Sequence, residues 1–164
     1  MVIDEIDRAI ILELQKTGRK SYMELAKLLH VSETTARNRV KHLIDNGVIT
    51  VNAIPDLGTL GYGFVGIVGL QIRLSDLRET ARQLVKHPNV CYLSNVTGRF
   101  DLIAIVVTKS SAEFADFMEK EISTIPNVLR TETFVNLKVY KGQIFGLDTE
   151  HLVNSLDVSA IPEH

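Results

Sequence analysis

The chain contains a single cysteine, Cys91, among its 164 residues. One thiol cannot form an internal disulfide and provides no pair of cysteines at zinc-ligand spacing, so a disulfide framework and a cysteine-based metal site are excluded. We expect Cys91 to be a buried strand residue. No Ser/His/Asp, Cys/His or metal-ligand spacing occurs, because the histidines are scattered along the chain at His30, His42, His87, His151 and His164. We therefore expect no catalytic residues, no metal and no cofactor.

Long apolar runs are also missing. No run approaches the roughly 20 residues that span a bilayer, and residues 1–8 are too acidic for a signal peptide. We expect a cytoplasmic protein without a membrane partner. The hydrophobic share of 45% and the charged share of 23% are those of an ordinary soluble protein with enough apolar material for a core.

Neither sign of charge is in strong excess. Residues 1–50 carry eight Lys/Arg against seven Asp/Glu, a net charge of +1, and residues 51–164 carry ten against thirteen, a net charge of −3. A strongly basic domain is the usual footprint of nucleic-acid binding. Any case for DNA must therefore rest on where the basic residues lie.

The first 47 residues have the pattern of three helices. Apolar residues recur at helical spacing over 4–17, with Asp4 as the N-cap. Ser21 and Glu24 have capping-box spacing ahead of a short helix that ends near His30. Ser32 caps a third helix that runs to about residue 46, with Gly47 in the left-handed stop position. The residues predicted to face inward on this third helix are Ala36, Val40, Leu43 and Ile44.

The segment after the third helix separates two domains. Residues 48–54 alternate like a strand, and residues 55–61 are rich in turn formers. We predict a three-helix domain over 1–53, a linker over 54–61, a second domain over 62–141 and a C-terminal extension over 142–164. The extension contains an apolar segment at 144–147 and a weak helix near 150–156.

The second domain has the order strand, helix, strand, strand, helix, strand. The predicted strands cover 62–73, 90–96, 102–108 and 128–140, and the helices cover 75–87, with Val85 facing inward, and 110–124, where Ser110 and Glu113 have capping-box spacing. This order predicts a ferredoxin-like βαββαβ fold within the α+β class, with both helices on one face of an antiparallel sheet. The other face would expose apolar residues, and dimerisation through it would cover them.

The outer side of the third helix carries the functional signal. A helix turns about 100° per residue, which places Thr34, Asn38 and Lys41 opposite Ala36, with Arg37 on the flank and Arg39 near the edge of the apolar stripe. Such side chains contact base edges and phosphates, and the second helix of a helix-turn-helix enters the major groove. The alternative is an ordinary solvated face. The shortage of acids on this side and a domain able to supply two-fold symmetry favour DNA.

Taken together, several stretches resemble the leucine-responsive/asparagine (Lrp/AsnC, feast/famine) family. They cover nearly the whole chain: 6–11, 24–26, 31–32, 39–43, 47–49, 57–58 and the turn 97–102, which is similar to the family motif Thr-Gly-x-Tyr-Asp with Phe100 for Tyr. The resemblance implies a winged helix-turn-helix followed by an effector-sensing ferredoxin-like domain. It also implies dimers that assemble into tetramers or octamers. These would bind double-stranded DNA and control transcription in response to small molecules, often amino acids.

The same resemblance supplies candidate site residues. The DNA-binding candidates are Ser32, Thr34, Arg37, Asn38, Arg39 and Lys41, and Arg39 is open between a base contact, a phosphate contact and a structural role. The effector is expected at subunit interfaces near the turn before the third strand of the second domain. The effector candidates are Thr97, Gly98, Arg99 and Asp101, with Thr131 and Thr133 on the last strand.

The chemistry of this turn suits an amino acid. The N–H groups of Gly98 and Arg99 can hold a carboxylate, and Asp101 can pair with an ammonium group. The alternative is that Gly98 serves the backbone angles of the turn and Asp101 only hydrogen-bonds within it.

Two other functions remain to be weighed. Sirohaem decarboxylases resemble this family but depend on a histidine-rich signature around the second and third strands, and residues 91–101 contain no histidine. An interaction module that oligomerises without binding DNA is the other alternative. Salt dependence distinguishes it, because phosphate contacts weaken steeply as salt rises.

Overall fold

The structure is a computed structural model that describes residues 2–138, 140 and 147–155. The chain divides into two compact units, Met1–Ile54 and Pro55–His164. Most of the apolar segment predicted at 144–147 and the end of the helix predicted at 150–156 lie outside the described residues.

The first unit is built from three capped helices: α1 (Glu5–Lys16), α2 (Tyr22–Leu29) and α3 (Glu33–Asp45). The predicted N-caps are confirmed at Asp4, Ser21 and Ser32, each of which accepts a hydrogen bond from a backbone N–H of the first turn. These caps satisfy donors that an isolated helix end leaves unpaired. Gly47 has a φ of 67°, so the predicted left-handed stop after α3 is also confirmed.

The core of the first unit lies among the three helices. Ile10, Leu25, Ala36 and Leu43 are fully buried, and Val40 is nearly so. The prediction that Ile44 faces inward was wrong, because its side chain is 43% exposed. At about 100° per residue, Ile44 lies roughly 80° from Ala36, at the edge of the apolar stripe.

The strand predicted over 48–54 is not formed. These residues have no regular secondary structure, and Val51 and Ile54 are 50% and 55% exposed. A strand needs a neighbouring strand for its backbone hydrogen bonds, and the described part of the first unit contains none. The helix-turn-helix is therefore present without a paired wing strand.

The second unit contains the predicted four-stranded antiparallel sheet. Its strands are β1 (Phe64–Ile72), β2 (Val90–Asn95), β3 (Leu102–Thr108) and β4 (Val128–Val135). The strand order β2-β3-β1-β4, antiparallel throughout, is that of a ferredoxin-like fold and places β1 and β3 at the centre. The prediction that the last strand reaches residue 140 was wrong. β4 ends at Val135, and Leu137 and Tyr140 are exposed.

One face of this sheet is covered by helices. Helix α4 (Leu77–Leu84) follows a short 3₁₀ turn, and α5 (Ser111–Phe117) continues into a π-helical turn at Met118–Ile122. Alternate residues of β1, such as Val68 and Leu70, pack with Leu84 and Phe114. The predicted placement of both helices on one face is confirmed. Val85 was wrongly predicted to face inward. It follows the last residue of α4 and is 65% exposed.

The opposite face, here called the open face, is only partly covered. A short helix, α6 (Glu150–Asn154), packs at one end of it, where the Tyr62 hydroxyl donates a hydrogen bond to the Leu152 carbonyl at 3.0 Å. Cys91 is buried in β2 beside this helix, as predicted. Further along the face, Ile67 and Ile105 are half-buried, and Tyr92 and Phe134 are 42% and 44% exposed.

Candidate DNA-binding helix and effector turn

The outward side of α3 presents three exposed polar side chains. Thr34, Asn38 and Lys41 are exposed, and none of their side chains makes a hydrogen bond or ion pair with another described residue. The side chains are therefore free to form hydrogen bonds and ion pairs with a ligand. A hydroxyl, an amide and an ammonium group are the types that bind phosphates and base edges.

Ser32 and Arg37 flank this row and are partly engaged. The Ser32 hydroxyl caps α3 by accepting the Thr35 N–H at 3.1 Å. Arg37 donates to Glu33 at 3.0 Å, and its guanidinium lies 5.4 Å from the centroid of the Tyr22 ring. Both partners of the Arg37–Glu33 pair are at least half exposed, and such surface pairs are weak enough to exchange for another anion.

Arg39 has a different role from its neighbours on α3. Its Nη1 donates to Asp4 at 2.5 Å and to both carboxylate oxygens of Asp7 at 3.2 Å. Asp4 and Asp7 form the capping box of α1, and Asp7 is buried. Arg39 therefore ties the middle of α3 to the first turn of α1. Of the roles that the sequence left open for Arg39, the structure supports the structural one.

The charges around Arg39 stabilise each other. Hydrogen bonds to Asp4 and then Asp7 raise the pKa of the Arg39 guanidinium. The Asp7 N–H, and after it the Arg39 guanidinium, lower the pKa of the Asp4 carboxyl. The Asp4 carboxyl and the Arg39 guanidinium are thus held in their charged forms, which keeps α3 oriented on α1.

The predicted effector turn at 97–101 folds back onto the open face of the sheet. Gly98 has a φ of 122°, a conformation that a residue with a side chain rarely adopts. The Phe100 ring lies directly over Gly69 of β1, where an added Cβ would come within 2.6 Å of it. Arg99 stacks on Phe100 at 4.9 Å and pairs with both carboxylate oxygens of Glu132 at 2.7 Å.

Asp101 fastens the turn to β1. Its carboxylate oxygen Oδ2 accepts the Ile72 N–H at 2.8 Å, and its own N–H donates to the Leu70 carbonyl at 2.9 Å. This contact lies at the irregularity between Gln71 and Ile72, where the register of β1 against β4 shifts. Asp101 thus has the structural role that the sequence allowed. Its Oδ1 makes no hydrogen bond to another described residue.

Thr131 and Thr133 do not lie with the turn. Thr131 pairs with Leu70 and Thr133 with Val68, and both partners face the helices. Cross-strand partners share a face, so these threonines lie on the side of the sheet opposite to Phe100. Thr131 instead lines a cavity of about 550 Å³ beside α5.

Three residues of the site were missed by the sequence reasoning: Gly69, Glu132 and Phe134. Phe134 contacts Phe100 edge to face, with ring centroids 6.3 Å apart. Successive strand residues point to opposite faces of a sheet. Because Thr131 and Thr133 were predicted to lie on the face of the turn, Glu132 was assigned to the opposite face. Only the pairing of β4 with β1 decides which set lies beside the turn.

The described residues contain no group of three or more His, Cys, Asp and Glu side chains arranged to hold a metal ion. None of the described helices is both long enough and apolar enough to span a bilayer. Burial, and to a lesser extent the nearby Asp148, raises the pKa of the Cys91 thiol to about 12, so this cysteine is a poor nucleophile.

Comparison with known proteins agrees with both units. The AsnC-type helix-turn-helix domain matches residues 3–44, and the Lrp/AsnC ligand binding domain matches residues 65–143. The HTH-type transcriptional regulator FL11 of Pyrococcus furiosus is 32% identical over 141 residues, covering 85% of this chain and 93% of the relative. The HTH-type transcriptional regulator Ptr1 of Methanocaldococcus jannaschii is 33% identical, covering 85% of this chain and 95% of the relative.

Solved structures show the same similarity. AsnC of E. coli superposes with a TM-score of 0.81 at 27% identity, covering 87% of this chain and 97% of AsnC. A transcriptional regulator of Neisseria meningitidis, solved in complex with L-Met, also has a TM-score of 0.81, at 25% identity, covering 92% of this chain and 99% of that protein. The relatives are named as regulators, which confirms the expectation of a non-enzymatic function. The chain belongs to the Lrp/AsnC family and is a transcriptional regulator with a DNA-binding and a ligand-binding domain.

Proposed function

We propose that α3 recognises DNA in the major groove through Thr34, Asn38 and Lys41. The observation that carries this proposal is the contrast within one helix. These three side chains are exposed and have no hydrogen-bond or ion-pair partner among the described residues, whereas Arg39 is held by two aspartates. Ser32 and Arg37 contact the flanking phosphates in this proposal, and Arg39 contributes by orienting the helix. The protein acts in the cytoplasm on double-stranded DNA.

The open face supports a homodimer as the DNA-binding species. Its uncovered part includes Ile67, Ile105, Tyr92 and Phe134, which form an apolar surface that a second copy would bury. A two-fold dimer presents two α3 helices to two half-sites, as palindromic operators require. Dimers of this kind assemble further into tetramers or octamers.

The ligand of the second domain is an amino acid bound at a subunit interface beside the turn at 97–101. The N–H groups of Gly98 and Arg99 donate no hydrogen bond to another described residue and are available for a carboxylate. Among the described residues only Oδ2 of the Asp101 carboxylate accepts a hydrogen bond, from the Ile72 N–H, so Oδ1 remains for an ammonium group. The L-Met complex of the Neisseria meningitidis relative supports this class of ligand.

The DNA-recognition proposal is tested with genomic fragments selected by the wild-type protein. The double substitution Asn38→Ala with Lys41→Ala should abolish the sequence-specific electrophoretic mobility shift. It removes an amide that can hydrogen-bond adenine and a cation. Lys41→Ala alone should lower the slope of log K against log salt by about 1. Lys86→Ala, an exposed lysine of the second unit, is the matched control.

Two results would contradict this assignment. Retained specific binding by the double variant would mean that α3 does not recognise the operator. A wild-type protein whose association with the fragments is insensitive to salt would favour the interaction-module alternative. Size-exclusion chromatography of all variants checks that assembly is unchanged.

The effector proposal is tested at Asp101 with L-methionine as the probe. Asp101→Asn keeps a carbonyl oxygen for the Ile72 N–H but removes the negative charge, whereas Asp101→Ala removes both. The Asn variant should lose the L-methionine response in DNA affinity or assembly while keeping its thermal stability. A full response by the Asn variant would place the ammonium group elsewhere.

A further inference from the structure

Helix α3 carries an acid at the end that is proposed to enter the major groove. Its two acidic residues are Glu33 in the first turn and Asp45 at the last position, and both are exposed. The N-terminal end of a recognition helix comes closest to the DNA, where phosphates repel a carboxylate. Asp45 lies about 18 Å further along the helix. Glu33 is therefore the acid of α3 whose charge opposes DNA binding at close range.

Glu33 is paired with Arg37, one turn along the same helix. The Arg37 Nη2 donates to the Glu33 Oε1 at 3.0 Å, and both side chains are at least half exposed. At about 100° per residue, the two positions lie about 40° apart around α3. Both lie on the same flank of the row formed by Thr34, Asn38 and Lys41. The pair thus borders the surface that is proposed to contact DNA.

Tyr22 makes a second contact with the same guanidinium. It is the first residue of α2, is 38% exposed, and its ring centroid lies 5.4 Å from the Arg37 Cζ. A guanidinium stacks on an aromatic ring through its face and forms hydrogen bonds through its edge. Glu33 accepts from one of the five N–H groups on that edge. The other four donate no hydrogen bond to a described residue, so the edge can bind a further anion.

A DNA phosphate and the Glu33 carboxylate would compete for this edge. A phosphate bound to the Arg37 guanidinium lies close to any carboxylate that is bound to it, and two like charges at such a distance repel. Either the pair with Glu33 breaks or the phosphate contact weakens, and both outcomes lower the affinity for DNA. Because an exposed ion pair is weak, the competition reduces the phosphate contact without preventing it.

We propose that Glu33 is an intramolecular competitor that lowers operator affinity through Arg37, and that Tyr22 is a positioning residue that orients the same guanidinium. Both roles rest on the proposed recognition of DNA by α3. The two neighbours of Arg37 thus act on DNA affinity with opposite signs. A structural role for Glu33 alone, as a first-turn acid that favours the helix dipole, predicts no gain in affinity when the acid is removed.

The test measures the affinity of the full-length protein for genomic fragments selected by the wild type, using fluorescence anisotropy at low salt. Glu33→Gln should tighten binding about two- to fivefold, the range expected for release of an exposed ion pair. This gain should shrink as added salt screens the pair. Asp45→Asn removes the same charge from the other end of α3 and should change the affinity much less. An unchanged or weaker affinity of Glu33→Gln would overturn the role of Glu33.

The Arg37→Gln background shows whether the effect passes through Arg37. There Glu33→Gln should change the affinity no more than Asp45→Asn does, because the carboxylate has no cation left to hold. Equal gains from Glu33→Gln with and without Arg37 would overturn the competition and leave only general charge repulsion.

Tyr22 is tested with two substitutions. Tyr22→Leu should weaken binding about two- to fivefold, the size of an exposed cation–π contact, whereas Tyr22→Phe keeps the ring and should retain the wild-type affinity. In the Arg37→Gln background, Tyr22→Leu should have no effect. A loss that persists in that background, or an equal loss in Tyr22→Phe, would overturn the positioning role.

Failure of these roles differs from failure of DNA recognition by α3. If Asn38→Ala with Lys41→Ala abolishes specific binding while Glu33→Gln and Tyr22→Leu bind like the wild type, α3 recognises DNA without this control of Arg37. If none of these variants changes specific binding, α3 does not contact the operator and both proposals are wrong.

Discussion

Replacement of Gly69 by alanine should destabilise the second unit through a clash with one aromatic ring. A Cβ at this position would lie 2.6 Å from Cδ2, 2.7 Å from Cε2 and 2.7 Å from Cγ of Phe100. Unstrained carbon atoms approach to about 3.5–4.0 Å, so the ring must retreat by roughly 1 Å. That movement weakens its edge contact with Phe134 and its stacking with Arg99.

The size of the effect follows from these contacts. Overpacking of a filled site costs about 1–3 kcal/mol, and each aromatic or cation contact of this kind contributes roughly 0.5–1 kcal/mol. Replacement of a strand glycine by alanine recovers about 0.5–1 kcal/mol of backbone entropy. We therefore expect a net loss of about 1–2 kcal/mol in the free energy of unfolding for Gly69→Ala.

A double-mutant cycle in urea, followed by circular dichroism at fixed protein concentration, measures this loss. In a Phe100→Ala background, Gly69→Ala should be neutral or stabilising, with an interaction energy of about 1 kcal/mol or more. Gly63→Ala, whose added Cβ would lie 3.4 Å from the Lys109 carbonyl, is the control. Equal losses from Gly69→Ala with and without the ring would show that Phe100 does not occupy this place.

Three other residues give independent predictions. Arg39→Gln should lower the melting temperature of the first unit by several degrees and weaken DNA binding, because the buried Asp7 carboxylate loses its cation. Calorimetry measures the melting temperature, and the control Arg37→Gln should leave it unchanged. Lys16 and Lys20 lower the pKa of the Glu13 carboxyl from 4.5 to about 2. Glu13 therefore stabilises the fold fully above pH 4.5, this contribution is lost as pH falls toward 2, and Glu13→Gln should flatten that part of the stability profile. With its pKa raised from 9.0 to about 12, the Cys91 thiol should react with iodoacetamide at pH 8 at least a thousandfold more slowly than free cysteine, and rapid labelling would mean that β2 opens.

Much of the first unit was predictable because its signals are local. An N-cap and its donor lie three residues apart, so Ser21 with Glu24 and Ser32 with Thr35 could be recognised without the fold. The structural role of Arg39 could not be recognised in this way, because its partners lie 32 and 35 residues away at the start of another helix. The exposure of Ile44 depends on where α1 and α2 leave α3 uncovered.

The second unit shows the same limit on a larger scale. Alternation and capping predicted its four strands, two helices and their order. The turn at 97–101 was also recognised, but its neighbours were not, since the pairing of β4 with β1 decides whether Thr131 or Glu132 faces Phe100. The additional residue at Leu129 and the π-turn at 118–122 depend on hydrogen-bond register, which has no short-range sequence signal.

The attachment of Arg39 to the capping box of α1 has a consequence for engineering. The anchor uses one edge of α3, while Thr34, Asn38 and Lys41 project from the other side without supporting the fold. We expect these three positions to accept libraries of side chains as long as Arg39, Asp4 and Asp7 are kept. Under the proposed role of α3, such libraries are a source of regulators with new operator preferences.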